Sequence, residues 1–199
     1  MQALLAKPIP PILADLGLVT QGDASSWAVT DPANECRYVL GRMWDDYFFE
    51  KDDWWNHTPP RPLWVWGMLN PSKARHDCDD ATARKVVGFS KRGGAGGALI
   101  VNIMAYSETH PRLLVAAMRA GKNVVGEHNF SVLQWALSRP SIIGLNIAAW
   151  GKIPPSLRSV AQSSVTQFKM CRPKCLGKNA DGSPRHPLML PYNVNLEDW

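Results

Sequence analysis

From Leu63 onward, short apolar runs alternate with amphipathic stretches, the pattern of strands separated by helices. Residues 63–69 form a near-continuous apolar run that stops at Asn70 and Pro71, which predicts a buried strand running into a loop. Asp79 or Asp80 can then cap a helix reaching about Arg92. Val86, Val87 and Phe89 give it a core face, and Lys85, Lys91 and Arg92 lie toward its C-terminal half. The glycine-rich stretch 93–97 ends it. A strand over 98–103 follows, then a helix opened by Thr109, His110 and Pro111, with the proline in its first turn. A helix over 126–138, a buried strand over 141–149, a helix over 154–164 and a fourth strand over 165–170 complete the series. Such alternation predicts an α/β protein, a three-layer α/β/α sandwich with a mainly parallel central sheet.

Before Leu63 the pattern is looser. Residues 36–44 alternate well enough for a strand at the edge of the sheet. Residues 1–35 hold Pro8, Pro10, Pro11 and the polar stretch 21–26, which predicts an N-terminal arm or extension beside a single α/β domain over 36–199. An aromatic-rich insertion at about 45–61 separates the first two strands. From Trp44 to Trp66 there are eight aromatics, interleaved with Asp45, Asp46, Glu50, Asp52 and Asp53. Two readings stand: a short helix and loop packed across the sheet, or a lid offering a stacking platform for bases. The acidic neighbours argue against direct phosphate contact there.

A chain of 199 residues with 45% apolar residues can bury a core without disulfides or metals. Its four cysteines are too few and too unevenly spaced for a disulfide framework. Cys171 and Cys175 would need two further zinc ligands and have only His186 nearby, so free thiols, no metal and no cofactor are expected. No apolar run reaches the length of a membrane span, which predicts a cytoplasmic protein without a membrane partner. The net charge of +5 favours an anionic partner, nucleic acid or a nucleotide. Lys85, Lys91, Arg92, Arg112, Arg119, Lys152, Arg158 and Arg185 are the cations expected to attract it.

Ligands of open α/β sheets bind beyond the carboxyl ends of the strands, so the residues that follow each strand are the candidates. Asn70, Pro71 and Ser72 follow the first, with Asp79 and Asp80 at the next helix start. Asn102 and Tyr106 follow the second, Trp150 and Gly151 the third, Arg185 and His186 the fourth. Each alone has a structural explanation as a turn or a cap; together they predict one pocket. Walker, Rossmann, nucleophile-elbow, zincin and deaminase patterns are all absent.

The segments 68–72 (MLNPS), 79–82 (DDAT), 101–106 (VNIMAY), 148–151 (AAWG), 175–177 (CLG) and 182–188 (GSPRHPL) resemble, in that order, a bacterial and phage family known as domain of unknown function 1643. The resemblance runs from about Arg37 to Tyr192, and its name carries no activity. Residues 1–35 and the insertion are departures from that family's pattern. More distantly, the Asn-Pro loop, the strand ending in Trp-Gly and the late His-Pro are similar in order to the uracil-DNA glycosylase superfamily. That likeness implies a glycosylase-like topology in which Asn70 holds the attacking water and His186 donates to the departing base. Asp80 is the alternative for activating the water, because a carboxylate can act as a general base.

These readings lead to an enzyme acting on a base, nucleotide or nucleic acid, hydrolysing or transferring at an N-glycosidic bond. Asn70, His186 and Asp80 would carry the chemistry. Pro71, Ser72, Asp79, Asn102, Tyr106, Trp150, Gly151 and Arg185 would bind the substrate. The alternative is a non-catalytic module that binds nucleic acid or a modified nucleotide. The base, the polymeric state of the substrate and the oligomeric state of the protein are open at this stage.

Overall fold

The computed structural model describes residues 13, 15–45, 61–138 and 143–199. Its strands are β1 (Val19–Gly22), β2 (Ser26–Thr30), β3 (Arg37–Met43), β4 (Leu63–Met68), β5 (Gly97–Asn102), β6 (Ile143–Ala148), β7 (Lys174–Cys175) and β8 (Glu197–Asp198). The helices are α1 (Ala81–Arg92), α2 (Pro111–Arg119), α3 (Asn129–Leu137) and α4 (Arg158–Met170). One sheet takes in all eight strands in the order β1-β2-β3-β5-β4-β6-β7-β8. The class is α/β, but the sheet is mixed rather than mainly parallel. Only β5, β4, β6 and β7 run parallel, with antiparallel pairs β1–β2, β2–β3, β3–β5 and β7–β8 around them.

Three further expectations give way. Residues 19–30, inside the stretch read as an extension, form a hairpin in the sheet, with Trp27 and Val29 buried. That hairpin covers β3, so β3 is an interior strand and not an edge, and all seven of its residues are buried. Residues 165–170 are the second half of α4, not a strand. Their period-2 alternation is coincidental: Leu157, Ala161, Ser164 and Phe168 are the buried positions, at helical spacing, while Met170 is 80% exposed. The strand that follows is the two-residue β7. Residues 46–60, most of the aromatic insertion, lie outside the described residues. At its margins, Trp44 Nε1 donates to Ala95 O at 2.8 Å and Arg61 pairs with Asp45.

Alternating side chains of the central strands feed two apolar clusters. Trp64, Trp66, Met68, Ala98 and Ile100 pack with Ala83, Val86 and Phe89 of α1. Val39, Val65, Leu99 and Val101 pack with Leu114 of α2, Val132, Leu133 and Ala136 of α3, and Ala161 and Phe168 of α4. Burying a side chain of this size stabilises by roughly 1.5–3 kcal/mol, which outweighs the modest helix propensity of Val and Phe in these positions. Gly67 is where the second cluster closes: a Cβ there would sit 2.4 Å from the Phe168 ring, so only glycine lets α4 approach β4 this closely.

The topology also arranges the rim. The parallel strands β5, β4, β6 and β7 end at one edge, and β3, antiparallel to β5, begins there.

Candidate active site

A cleft of about 380 Å³ opens at that edge. From the loop after β4 come Asn70 and Ser72, from the start of α1 Asp80 and Thr82, from the end of β5 Asn102, from the turn after β6 Trp150 and Gly151, and from the late loop His186. A second cleft, of about 530 Å³, shares Gly151, Lys152 and His186 with the first and is lined also by Arg185 and Asp181. The residues collected at strand ends therefore divide. Asn70, Ser72, Asp80, Asn102, Trp150, Gly151 and His186 line the first cleft, and Arg185 lines the second. Pro71, Asp79 and Tyr106 line neither. Pro71 offers its carbonyl to Asn70, Asp79 is taken up by Arg42, and Tyr106 bridges to Cys36 and packs on the core.

Asn70 is locked by its own loop. Its Nδ2 donates to Pro71 O at 3.0 Å and Glu108 O at 2.6 Å, which consumes both amide hydrogens and leaves Oδ1 with no partner among the described residues. What remains for a ligand is an acceptor in a fixed position.

His186 is held in one tautomer. Its Nδ1 accepts from Leu188 N at 3.3 Å, which puts the hydrogen on Nε2. Burial holds its pKa below the ordinary value, opposed by the Asp80 charge. At neutral pH His186 is therefore an uncharged imidazole whose Nε2–H has no partner among the described residues. Gly151, with φ +72°, turns the chain beneath it, and a Cβ there would come within 3.4 Å of His186 Cβ.

Asp80 is occupied. It caps α1 by accepting from Ala83 N at 2.8 Å, and it accepts from the Ser72 hydroxyl. Burial alone would raise its pKa, but the Ser72 and Ala83 hydrogen bonds and the Arg37 charge together hold it below the usual carboxylate range. It is ionised and a weak base.

Strand-end reasoning missed Arg37, because it looked only at where strands stop. Arg37 opens β3, is 7% exposed and lines the cleft. Its Nη1 donates to Ala74 O, its Nε is enclosed without a partner, and burial lowers its pKa to about 10 despite the Asp80 charge. Asn102 Nδ2 donates to the Arg37 carbonyl at 3.2 Å, and Asn102 Oδ1 is buried without a partner. Asn129, at the start of α3, supports this floor by donating to Asn102 O and Ile103 O, both at 3.1 Å. Trp150 forms the apolar wall, edge-on to Phe168 at 5.3 Å and to Trp199 at 4.8 Å.

Several of the cations expected to attract an anion are instead engaged within the chain. Lys85 donates to Leu190 O at 2.6 Å and lies over the Tyr192 ring at 4.2 Å, as Arg92 does at 3.9 Å. Lys91 lies over Trp44 at 5.2 Å, and Lys152 pairs with Asp181 at 3.7 Å. Cys171 and Cys175 are free thiols whose pKa burial raises, and among the described residues no cluster of three or more His, Cys, Asp or Glu side chains could hold a metal. Among the described residues no helix is long and apolar enough to cross a membrane.

The family described as protein of unknown function (DUF1643) matches residues 37–188, from the first residue of β3 to the residue after the His-Pro pair. Neither the curated proteins nor the solved structures give a match.

Proposed function

Because the chain belongs to the DUF1643 family, whose name assigns no reaction, we propose its function from the cleft: hydrolysis or transfer at the N-glycosidic bond of a nucleoside, nucleotide or nucleic acid. One observation carries this reading. The cleft holds a fixed amide acceptor, Asn70 Oδ1, together with a neutral imidazole donor, His186 Nε2–H, and neither has a partner among the described residues. N-glycosidic cleavage uses that combination. Its transition state gathers positive charge on the sugar and negative charge on the base, so an oriented water and an oxyanion donor both lower the barrier. Asn70 accepts a hydrogen from the water and aims its lone pair; His186 donates to the base oxygen as the bond breaks. Asp80, ionised and weakly basic, suits the cationic sugar better than it suits proton abstraction. Apolar Met68, Leu69, Ile100 and Trp150 suit the faces of a planar ring.

Helices packed on both sheet faces support a three-layer α/β/α sandwich. The order of the Asn70, Trp150 and His186 segments along the chain supports a uracil-DNA-glycosylase-like arrangement. The net charge of +5 supports a nucleotide or nucleic-acid partner.

The test is single-turnover release of free base from normal and modified nucleosides and oligonucleotides, comparing wild type with Asn70→Ala, Asp80→Asn and His186→Ala. Release that requires Asn70 and His186 is the expected result. The absence of release with every substrate would remove the enzymatic reading. The weak basicity of Asp80 favours the second reading, a binding module that holds a nucleotide in the same cleft without turnover. Binding retained in Asn70→Ala and His186→Ala, with no release by wild type, is its signature.

A further inference from the structure

Arg37 is the buried cation of the cleft, and the proposed reaction leaves it without a task. It is nine-tenths buried, yet no carboxylate lies within ion-pair distance of it among the described residues. Asp80 is near enough for the two charges to influence each other and too far to pair. Its oxygens are in any case committed to the Ser72 hydroxyl and the Ala83 amide. Of the three guanidinium nitrogens, Nη1 is bonded to Ala74 O and Nε is enclosed, while Nη2 has no hydrogen-bond partner among the described residues and is not enclosed. The fold therefore holds a desolvated cation in place and leaves one of its nitrogens unpaired in a wall of the cleft.

A guanidinium can only donate, so a ligand group that Nη2 holds in the cleft must be an acceptor. With Asp80 beside it, the neighbourhood is already close to charge-balanced, so Nη2 suits an oxygen on a neutral ligand better than a dianionic phosphate. We propose that Arg37 is the specificity-determining residue of the cleft, taking a ring carbonyl oxygen of the base and excluding bases that present an amino group in its place. This rests on the glycosidic reading and deepens it. A carbonyl oxygen at Arg37 meets a donor; an exocyclic amino group there meets N–H against N–H, with water shut out on the protein side. In the reaction the same oxygen collects the negative charge of the leaving base, so the interaction strengthens toward the transition state.

The experiment compares ligands that differ only in that group, inosine with adenosine and uridine with cytidine, by quenching of tryptophan fluorescence and by calorimetry. Wild type is expected to bind the carbonyl member of each pair at least about tenfold more tightly, the discrimination that one buried hydrogen bond gives. In Arg37→Met, of similar length and without donors, the preference is expected to fall to about twofold or less. Arg37→Lys, which keeps the charge, is expected to retain part of it. Should Arg37→Met fail to fold, the wild-type preference and the Arg37→Lys result decide. Equal affinity for both members, or a preference that survives Arg37→Met, overturns the assignment. Base release without carbonyl preference overturns Arg37 alone and spares the reaction. Carbonyl preference without base release keeps Arg37 and removes the reaction. Wild type that binds none of the four nucleosides overturns the Arg37 assignment, and base release from oligonucleotides then decides the reaction separately.

Discussion

Two arginines lie five positions apart on β3, at its two ends, and are buried almost equally: Arg37 is 7% exposed and Arg42 is 8%. The fold treats them differently. Every nitrogen of Arg42 is used: Nε on Asp79 at 2.8 Å, Nη1 on Gly41 O at 2.8 Å and Nη2 on Arg75 O at 2.6 Å. Among the described residues the Arg37 side chain has one hydrogen bond, to Ala74 O, and no ion pair. Burying a charge without partners is unfavourable, so the end of the strand that sits away from the cleft shows what folding alone demands, and the end in the cleft shows a departure from it. That departure coincides with two other open groups, Asn70 Oδ1 and His186 Nε2–H. Arg37, Asn70 and His186 thus line one cleft with donors and an acceptor that the fold does not use.

The largest expected effect tests this contrast directly. Arg42→Met strands Asp79 and two carbonyls, and should destabilise the protein by about 3 kcal/mol, the lower end of the range for breaking a buried pair because Asp79 is partly exposed. Arg37→Met gives up one hydrogen bond and no ion pair, and the desolvation of Arg37 that it relieves offsets the lost influence on Asp80, so its change should stay within about 1 kcal/mol. Denaturant unfolding of both variants measures this. Equal losses would mean that Arg37 is as structural as Arg42, and the contrast would fail.

Next in size come the open groups of the cleft. His186→Ala and Asn70→Ala should each lower base release about 10²-fold, roughly 2.7 kcal/mol of barrier, with melting temperatures close to wild type. Unchanged rates in single-turnover assays would strip either residue of its role.

Asp80 separates capping from chemistry. Asp80→Ala should cost about 1 kcal/mol through the lost cap of α1, while Asp80→Asn, which can still accept from Ala83, should recover most of it. A large loss of base release in Asp80→Asn at preserved stability would show that the ionised carboxylate acts in the reaction.

The smallest effect is that of pH. The folded-state pKa of His186 lies below its unfolded value near 6.5, so the stability tied to its neutral form is present above about pH 6.5 and is lost as pH falls toward the folded pKa. Base release should hold steady from pH 8 to 6.5 and decline only below. NMR titration of the His186 ring gives the direction independently; a pKa above 6.5 would contradict both the burial and the neutral donor.

Residues 63–149 carried most of the legible fold, because their apolar runs are long and their periods distinct. The stretch 165–170 misled because six residues fit both periods, and the burial of Leu157, Ala161 and Ser164 ahead of them decides for the helix. The hairpin β1–β2 was hidden by its short strands and polar turn, and its covering of β3 turned an expected edge into an interior strand. At the site, Asn70, Asp80, Asn102, Trp150 and His186 were visible as strand-end residues. Asp79 and Tyr106 sat in the same pattern, and only their partners, Arg42 and the core, take them out of the cleft.

By itself the sequence determined the α/β class, since local period separates its strands from its helices; it named a mainly parallel sheet, and the antiparallel pairs at both sides of the parallel strands make that sheet mixed. The sequence could not determine Arg37. A residue at the start of a strand reaches the rim of the cleft only if the strand runs antiparallel to its neighbour, and strand direction is fixed by pairings between residues far apart in the chain. Here Val39 sits opposite Val101 and Leu40 opposite Ile100. Nor could it say which donors and acceptors would be left over, because a group is open only when every surrounding backbone and side chain has taken its place.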